Sequence, residues 1–267
     1  MNVYIDVWLD GNAGDRARAA ARWFDTCLRR LFSGNFSSGP AWVGSLAWGE
    51  DDPLEQFSGG VERRDQFVVE LSRPHYWAQL ELGEEGESGR IGSSSAYFGG
   101  EFTSLSVALP CGGRVMSDAS RCAELVECVT EAASTVNPTF GRIEQGQSLD
   151  RANLDIALRR KRRTYLAEAR ESLRGYAWVT VCPEELLDRL GGWERLASVG
   201  AFHRVIPLAA GGAVLQASET LAGYSDAVME GVFRTLSPVL PSGVPSAHVA
   251  FPGVRFFPED ARNADAR

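Results

Sequence analysis

The residues of this chain able to do chemistry are few and widely spaced. Asp6 and Asp10 fall on one face of an alternating segment. Paired carboxylates on one strand face can share a proton or hold a cation; the competing reading is a solvated strand face. Trp8 lies on that same face, either as a surface aromatic anchor or as a side chain covered by a neighbouring element. The histidines are His75, His203 and His248, with no second ligand at metal spacing beside any of them. The cysteines are Cys27, Cys111, Cys122, Cys128 and Cys182. No pair has C-x-x-C spacing and most sit in apolar-patterned segments, so buried thiols are expected. A small-molecule hydrolase with an unrecognised pocket would draw on Asp6, His203 or Cys182.

Phosphate-binding and hydrolase signatures are missing from the sequence. There is no P-loop, no dinucleotide glycine fingerprint, no nucleophile elbow and no H-E-x-x-H helix. The pairs Gly59-Gly60, Gly99-Gly100, Gly112-Gly113 and Gly211-Gly212 read as turns. No catalytic, cofactor or metal residue is therefore assigned. The run Arg159-Arg160-Lys161-Arg162-Arg163 spreads its charge around a helix, as a solvated face or a contact to an anionic partner. Two acidic loops stand out, Glu50-Asp51-Asp52-Pro53-Leu54-Glu55 and the stretch from Glu81 through Glu84, Glu85 and Glu87. They are solvated or, with Asp6 and Trp8, form the surface that meets a basic partner. A formal net charge of −8 argues against a nucleic-acid-binding surface over the whole molecule. The N-terminal MNVYIDVWLDG lacks signal-peptide regions, and no apolar run reaches membrane-spanning length, so a cytoplasmic, non-membrane protein is expected.

The elements that must position these residues follow from periodicity. Residues 2–10 alternate as a half-buried strand. A helix with Ala20, Phe24, Cys27, Leu28 and Leu31 on its apolar stripe follows, opened by a turn in which Asp15 can cap. Strands are predicted at Ala41–Trp48, at Phe67–Leu71, at Tyr76–Leu82 and at Thr103–Leu109. Ser88–Gly100 reads as loop or weak edge strand. A helix opens at Ser117 or Asp118 and ends before Asn137-Pro138; Phe140 and Ile143 suggest a strand. Asp150–Ser172 reads as one long charged helix bridging two halves.

The second half opens on Arg174-Gly175-Tyr176-Ala177-Trp178-Val179-Thr180-Val181-Cys182-Pro183. Alternation places Tyr176, Trp178, Thr180 and Cys182 on one strand face, and Pro183 suits the first helical position. A short helix stops at Gly191-Gly192, Trp193–Ser198 adds a turn, and strands flank Ala209-Ala210-Gly211-Gly212 as a hairpin. Ser225 caps a last helix, Phe251–Phe257 forms a strand or packing arm, and residues 259–267 read as a disordered tail. The fold class is α+β: mainly antiparallel sheet with helices on one face. A single domain spans 1–258, with halves 1–147 and 173–258 joined by the 150–172 helix.

Within this half, Arg174-Gly175-Tyr176-x-Trp178, Cys182-Pro183-x-Glu185-Leu186 and Arg189-Leu190-Gly191-Gly192 resemble the C-terminal half of bacterial polymorphic-toxin immunity proteins. Immunity protein 52 and related type VI immunity proteins are the families concerned. Gly200-Ala201-Phe202, the Gly-Gly hairpin and Phe233-x-x-Leu236-x-Pro238-Val239-Leu240-Pro241 continue the likeness, which covers about residues 173–241. The resemblance implies a non-enzymatic inhibitor; a monomer or homodimer without a cofactor is expected. It would occlude the active site of a cognate toxin, often a nuclease with a basic surface. An adaptor inside a secretion or phage-derived assembly is the further alternative to an inhibitor.

Overall fold

The computed structural model describes residues 2–32, 41–83, 89–95, 101–110, 116–146 and 151–266. The first half contains β1 (Asn2–Leu9), α1 (Ala13–Leu31), β2 (Ala41–Ala47), β3 (Glu55–Ser58), α2 (Val61–Glu70), β4 (Trp77–Gly83), β5 (Gly89–Ser95), β6 (Thr103–Pro110), α3 (Ala119–Ala133) and β7 (Phe140–Gly146). The second contains α4 (Asn153–Ala157), α5 (Arg162–Ala167), β8 (Val179–Cys182), α6 (Glu184–Arg189), α7 (Trp193–Ser198), β9 (Arg204–Pro207), β10 (Ala213–Gln216) and α8 (Asp226–Leu236). The strands form one ten-stranded sheet in the order β3-β2-β4-β5-β6-β1-β7-β8-β10-β9. Every pairing is antiparallel, so the α+β class read from the sequence is the class observed. The two halves share this sheet through a short β7–β8 ladder, Gly141↔Val181 to Ile143↔Val179. No helix among the described residues is long and apolar enough to cross a membrane.

Two cores flank the sheet. Val3, Ile5, Val7 and Leu9 of β1 face Trp23, Phe24 and Cys27 of α1 and Leu125 and Val129 of α3. Trp8 of β1 and Phe140 of β7 point the other way, into a core with Tyr165, Leu173, Tyr176 and Phe233. Helices α1–α3 therefore cover one face only, and the expectation of all helices on one face is not met. The second-half helices lie on the opposite face, because alternation along β1 sends apolar side chains both ways.

Several local expectations change. Phe67, Val69 and Leu71 belong to helix α2, not to a strand. Phe67 and Leu71 are four apart and fully buried, while Val69 is 66% exposed, which is helical periodicity. Asn12, not Asp15, caps α1, its side chain accepting from the Asp15 amide. Gly89–Ser95 is an interior strand between β4 and β6. Neighbouring ladders on both edges override the weak strand preference of Ser and Gly. The expected 150–172 helix is two short helices, α4 and α5, broken at Arg159, whose φ is +54°.

In the Arg174–Pro183 stretch only Val179–Cys182 is strand. Tyr176 and Cys182 enter the second core, whereas Trp178 joins Val179 and Val181 in the first. The segment before Val179 follows its own local turn, in which the Ala177 amide donates to Thr180 Oγ1 at 3.0 Å. Pro183 is the N-cap rather than the first helical residue of α6. The Glu184 amide behind it donates to Asn137 Oδ1 at 3.0 Å. No strand forms at 251–257 among the described residues; the segment is a packing arm, with Phe257 donating its amide to Tyr176 Oη at 2.8 Å. Residues 261–266 form a 3-10 helix, not a disordered tail. Ala261 and Ala264 share its inner side and enter the second core.

Candidate partner-binding site

Asp6 and Asp10 are each held by a different arginine, so they neither share a proton nor hold a cation together. Asp6 is buried and meets Arg142, its cross-strand neighbour on β7, with Nε to Oδ2 at 3.1 Å. Asp10, half-buried, takes Nε and Nη2 of Arg170 at 3.0 and 2.7 Å. Asp6 is therefore not on a solvated face, whereas Asp10 stays partly exposed within its ion pair, and the two share no ligand position. Trp8 is not a surface anchor. It is buried against Phe140, ring centroids 5.4 Å apart, beneath the Arg174 guanidinium at 4.6 Å.

Arg174 belongs to a buried polar centre whose arginine-rich composition the sequence shows but whose convergence it does not. Its Nε donates to Asp155 Oδ2 at 2.9 Å, and both side chains are fully buried. Arg160 Nη1 donates to the other Asp155 oxygen at 3.1 Å. The Arg174 guanidinium also lies 4.3 Å from the Tyr165 ring centroid. Burial lowers the Arg174 pKa, and it holds the Asp155 carboxyl above its ordinary value against the pull of Arg174 and Arg160. Charges taken out of water this way need partners, and here the partners tie the second-half elements to the underside of β1.

The hydrolase residues are not assembled. Asp6 is held by Arg142. Cys182 is buried in the second core, its thiol pushed up by desolvation and donating to the Pro183 carbonyl. His203 is exposed ahead of β9. Cys27, Cys122 and Cys128 are also buried, as expected; Cys111 lies outside the described residues. His75 Nδ1 lies 3.0 Å from the Arg73 carbonyl, and burial lowers its pKa. Among the described residues no His, Cys, Asp and Glu group could hold a metal ion. An open groove of about 640 Å³ runs between the α4–α5 break and residues 240–246. Arg160 on its wall is already committed to Asp155 and Glu168.

Of the residues expected to meet a partner, Glu50, Asp51 and Asp52 fall in the turn between β2 and β3, and Glu55 opens β3. Glu50, Asp51, Asp52 and Glu55 are all exposed, and Leu54 among them is 53% exposed. The turn closes through the Asp52 amide onto the Gly49 carbonyl. Glu55 accepts from Trp48 Nε1 at 3.4 Å, and Arg73 stacks over the Trp48 ring at 4.8 Å. Glu50, Asp51 and Asp52 form no ion pair among the described residues. The Tyr76 amide donates to the Ala47 carbonyl, so the backbone of the half-exposed Tyr76 adjoins the start of the turn. Glu84, Glu85 and Glu87 lie outside the described residues; Glu81 is exposed on β4.

From this turn an open sheet face extends. Trp42 and Leu46 of β2 and Leu80 and Leu82 of β4 point to the first core. Val43, Ser45, Gln79 and Glu81 point away from it, with Val43 paired to Glu81 and Ser45 to Gln79. Ser104 and Ser106 continue the same half-exposed face on β6. Among the described residues no helix covers these positions. The arrangement offers carboxylates, an aliphatic side chain and a tyrosine to a cationic macromolecule. Leu54 and Tyr76 are the contributors that composition alone does not single out, since only their exposure marks them. Compared with known proteins, the chain matches no family model, no curated protein and no solved structure.

Proposed function

We propose that this chain is an immunity-type protein that binds a toxin with a basic surface and blocks it stoichiometrically. The carrying observation is the exposed turn Glu50–Glu55, whose carboxylates at 50, 51 and 52 are left to an external cation while Leu54 stands exposed among them. The likeness of residues 173–241 to immunity proteins and the net charge of −8 support the same reading. Electrostatic steering raises the association rate of such a pair, and occlusion needs no catalytic group on the inhibitor. Nuclease toxins, whose surfaces accommodate phosphate, are partners of suitable charge.

The test is co-expression with the product of the adjacent toxin gene. Relief of toxicity and a complex of equal stoichiometry on gel filtration are expected. The triple variant Glu50→Lys, Asp51→Lys, Asp52→Lys should slow association by roughly tenfold or more at low salt, with a flattened salt dependence. Unrelieved toxicity with no complex would sink the reading.

A further inference from the structure

The ten-stranded sheet ends in β3 on one side and β9 on the other. A terminal strand leaves a row of main-chain N–H and C=O groups facing outward, and proteins usually blunt such an edge. The β9 edge is blunted. Its sequence Arg204-Val205-Ile206-Pro207 ends in a proline, which has no N–H to offer, and its exposed Arg204 lies on the strand. The β3 edge, Glu55-Gln56-Phe57-Ser58, contains no proline. Its inner edge is fully occupied by β2, from Leu46↔Glu55 to Val43↔Ser58. Phe57 faces the core with Arg63 above its ring, so the strand is anchored on one face. Glu55, Gln56 and Ser58 are exposed. Among the described residues no strand pairs with the outer edge.

We infer that the outer edge of β3 is completed by an extended basic segment of a partner protein, added antiparallel or parallel as one further strand. The inference rests on the toxin-binding reading for the presence of a protein partner; the edge itself specifies the mode. Main-chain hydrogen bonds to β3 supply affinity that is independent of side-chain identity, while charge selects the occupant. Glu55 lies on the strand, and Glu50, Asp51 and Asp52 stand at its N-terminal end, so lysines or arginines on alternate positions of an added strand would run beside them. Leu54, exposed just ahead of the strand, gives an apolar contact between the cations. A second copy of this chain is a poorer occupant, because it brings another body of net charge −8.

The test uses the full chain and a capped eight-residue peptide of alternating Lys and Val. Its control is the same peptide N-methylated on its four central residues, which keeps the charge and removes the central donors. The unmodified peptide should bind and slow amide hydrogen exchange in Glu55–Ser58 but not in Arg204–Pro207. The methylated peptide should bind at least tenfold more weakly. Glu55→Lys, an exposed change whose folding is checked by circular dichroism, should weaken the unmodified peptide several-fold. Equal binding of the two peptides, protection outside Glu55–Ser58, or no binding at all would overturn the inference. Equal binding would leave charge-driven toxin capture standing. A positive peptide result with unrelieved toxicity would leave the edge site standing without the toxin.

Discussion

At Asp155 two arginines converge on one carboxylate that water does not reach. Arg174 and Arg160 take its two oxygens, and the Ala152 amide donates to it as well, at 3.1 Å. A buried pair of this kind contributes little net energy relative to an apolar replacement of the same shape, but breaking one side strands the other. Asp155→Ala is expected to cost about 3–5 kcal/mol in urea-induced unfolding, since it leaves two arginines without their carboxylate. A loss below about 1 kcal/mol would show that the site rehydrates instead. Glu131 is the opposite case, at the surface between α1 and α3. Hydrogen bonds from Arg29 and then Arg30 hold its carboxyl below the ordinary range. A depressed carboxyl stabilises the fold above its unfolded value, and that contribution is lost as pH falls through the folded value. The Tm difference between the parent and Glu131→Gln should therefore be present at neutral pH and close below about pH 4. A difference that persists unchanged in acid would mean the carboxylate is not its source.

Among the elements, the β7–β8 ladder is the narrowest joint in the sheet. Gly141 sits in it because a Cβ there would lie 2.7 Å from Val181 Cγ2 and 3.1 Å from the Asp6 carbonyl. Gly141→Ala should force β7 away from β8 and cost about 1–3 kcal/mol in chemical denaturation, as overpacking does. An unchanged midpoint would mean that Val181 moves aside. The break between α4 and α5 is a second element-scale decision. No Gly or Pro marks it in Arg159-Arg160-Lys161-Arg162-Arg163, so periodicity reads straight through. The reversal at Arg159 turns Arg160 inward, its amide bonded to the Asp155 carbonyl at 2.8 Å and its side chain to the carboxylate. A buried countercharge, which no local pattern announces, overrides helix propensity there. The hairpin between β9 and β10 was legible for the converse reason. Gly211 and Gly212 adopt φ of +107° and +82°, and a local turn needs nothing from afar.

Across the whole molecule, acid and alkali act on different groups. Burial holds the carboxyls of Glu144 and Asp155 above their ordinary values, so the stability linked to them is present in acid and lost as pH rises. Arg262 and neighbouring amides hold Asp260 well below the usual carboxylate range, so its contribution has the opposite sign and is lost in acid. Both sets lie in or beside the second core, whereas the proposed partner surface lies at the far end of the sheet, on β2 and β3. Much of the 173–241 segment is thus core and cap, and the surface proposed to act is elsewhere.

From the sequence alone, the α+β class, the strand at β1, the helices α1, α3 and α8, and the acidic β2–β3 turn were determined, because each is written in local periodicity or local composition. The turn's carboxylates are exposed where they were expected. Tertiary structure decided the rest. Phe67 and Leu71 fit either period until a core claimed them, Gly89–Ser95 became a strand only by having two neighbours, and Ala261 and Ala264 needed a second core to order them. Asp6 and Trp8, legible as a strand face, became interior because Arg142 and Arg174 cover them from β7 and from the segment preceding β8. Burial of a charge depends on a partner that is distant in sequence, and only the folded chain brings that partner near.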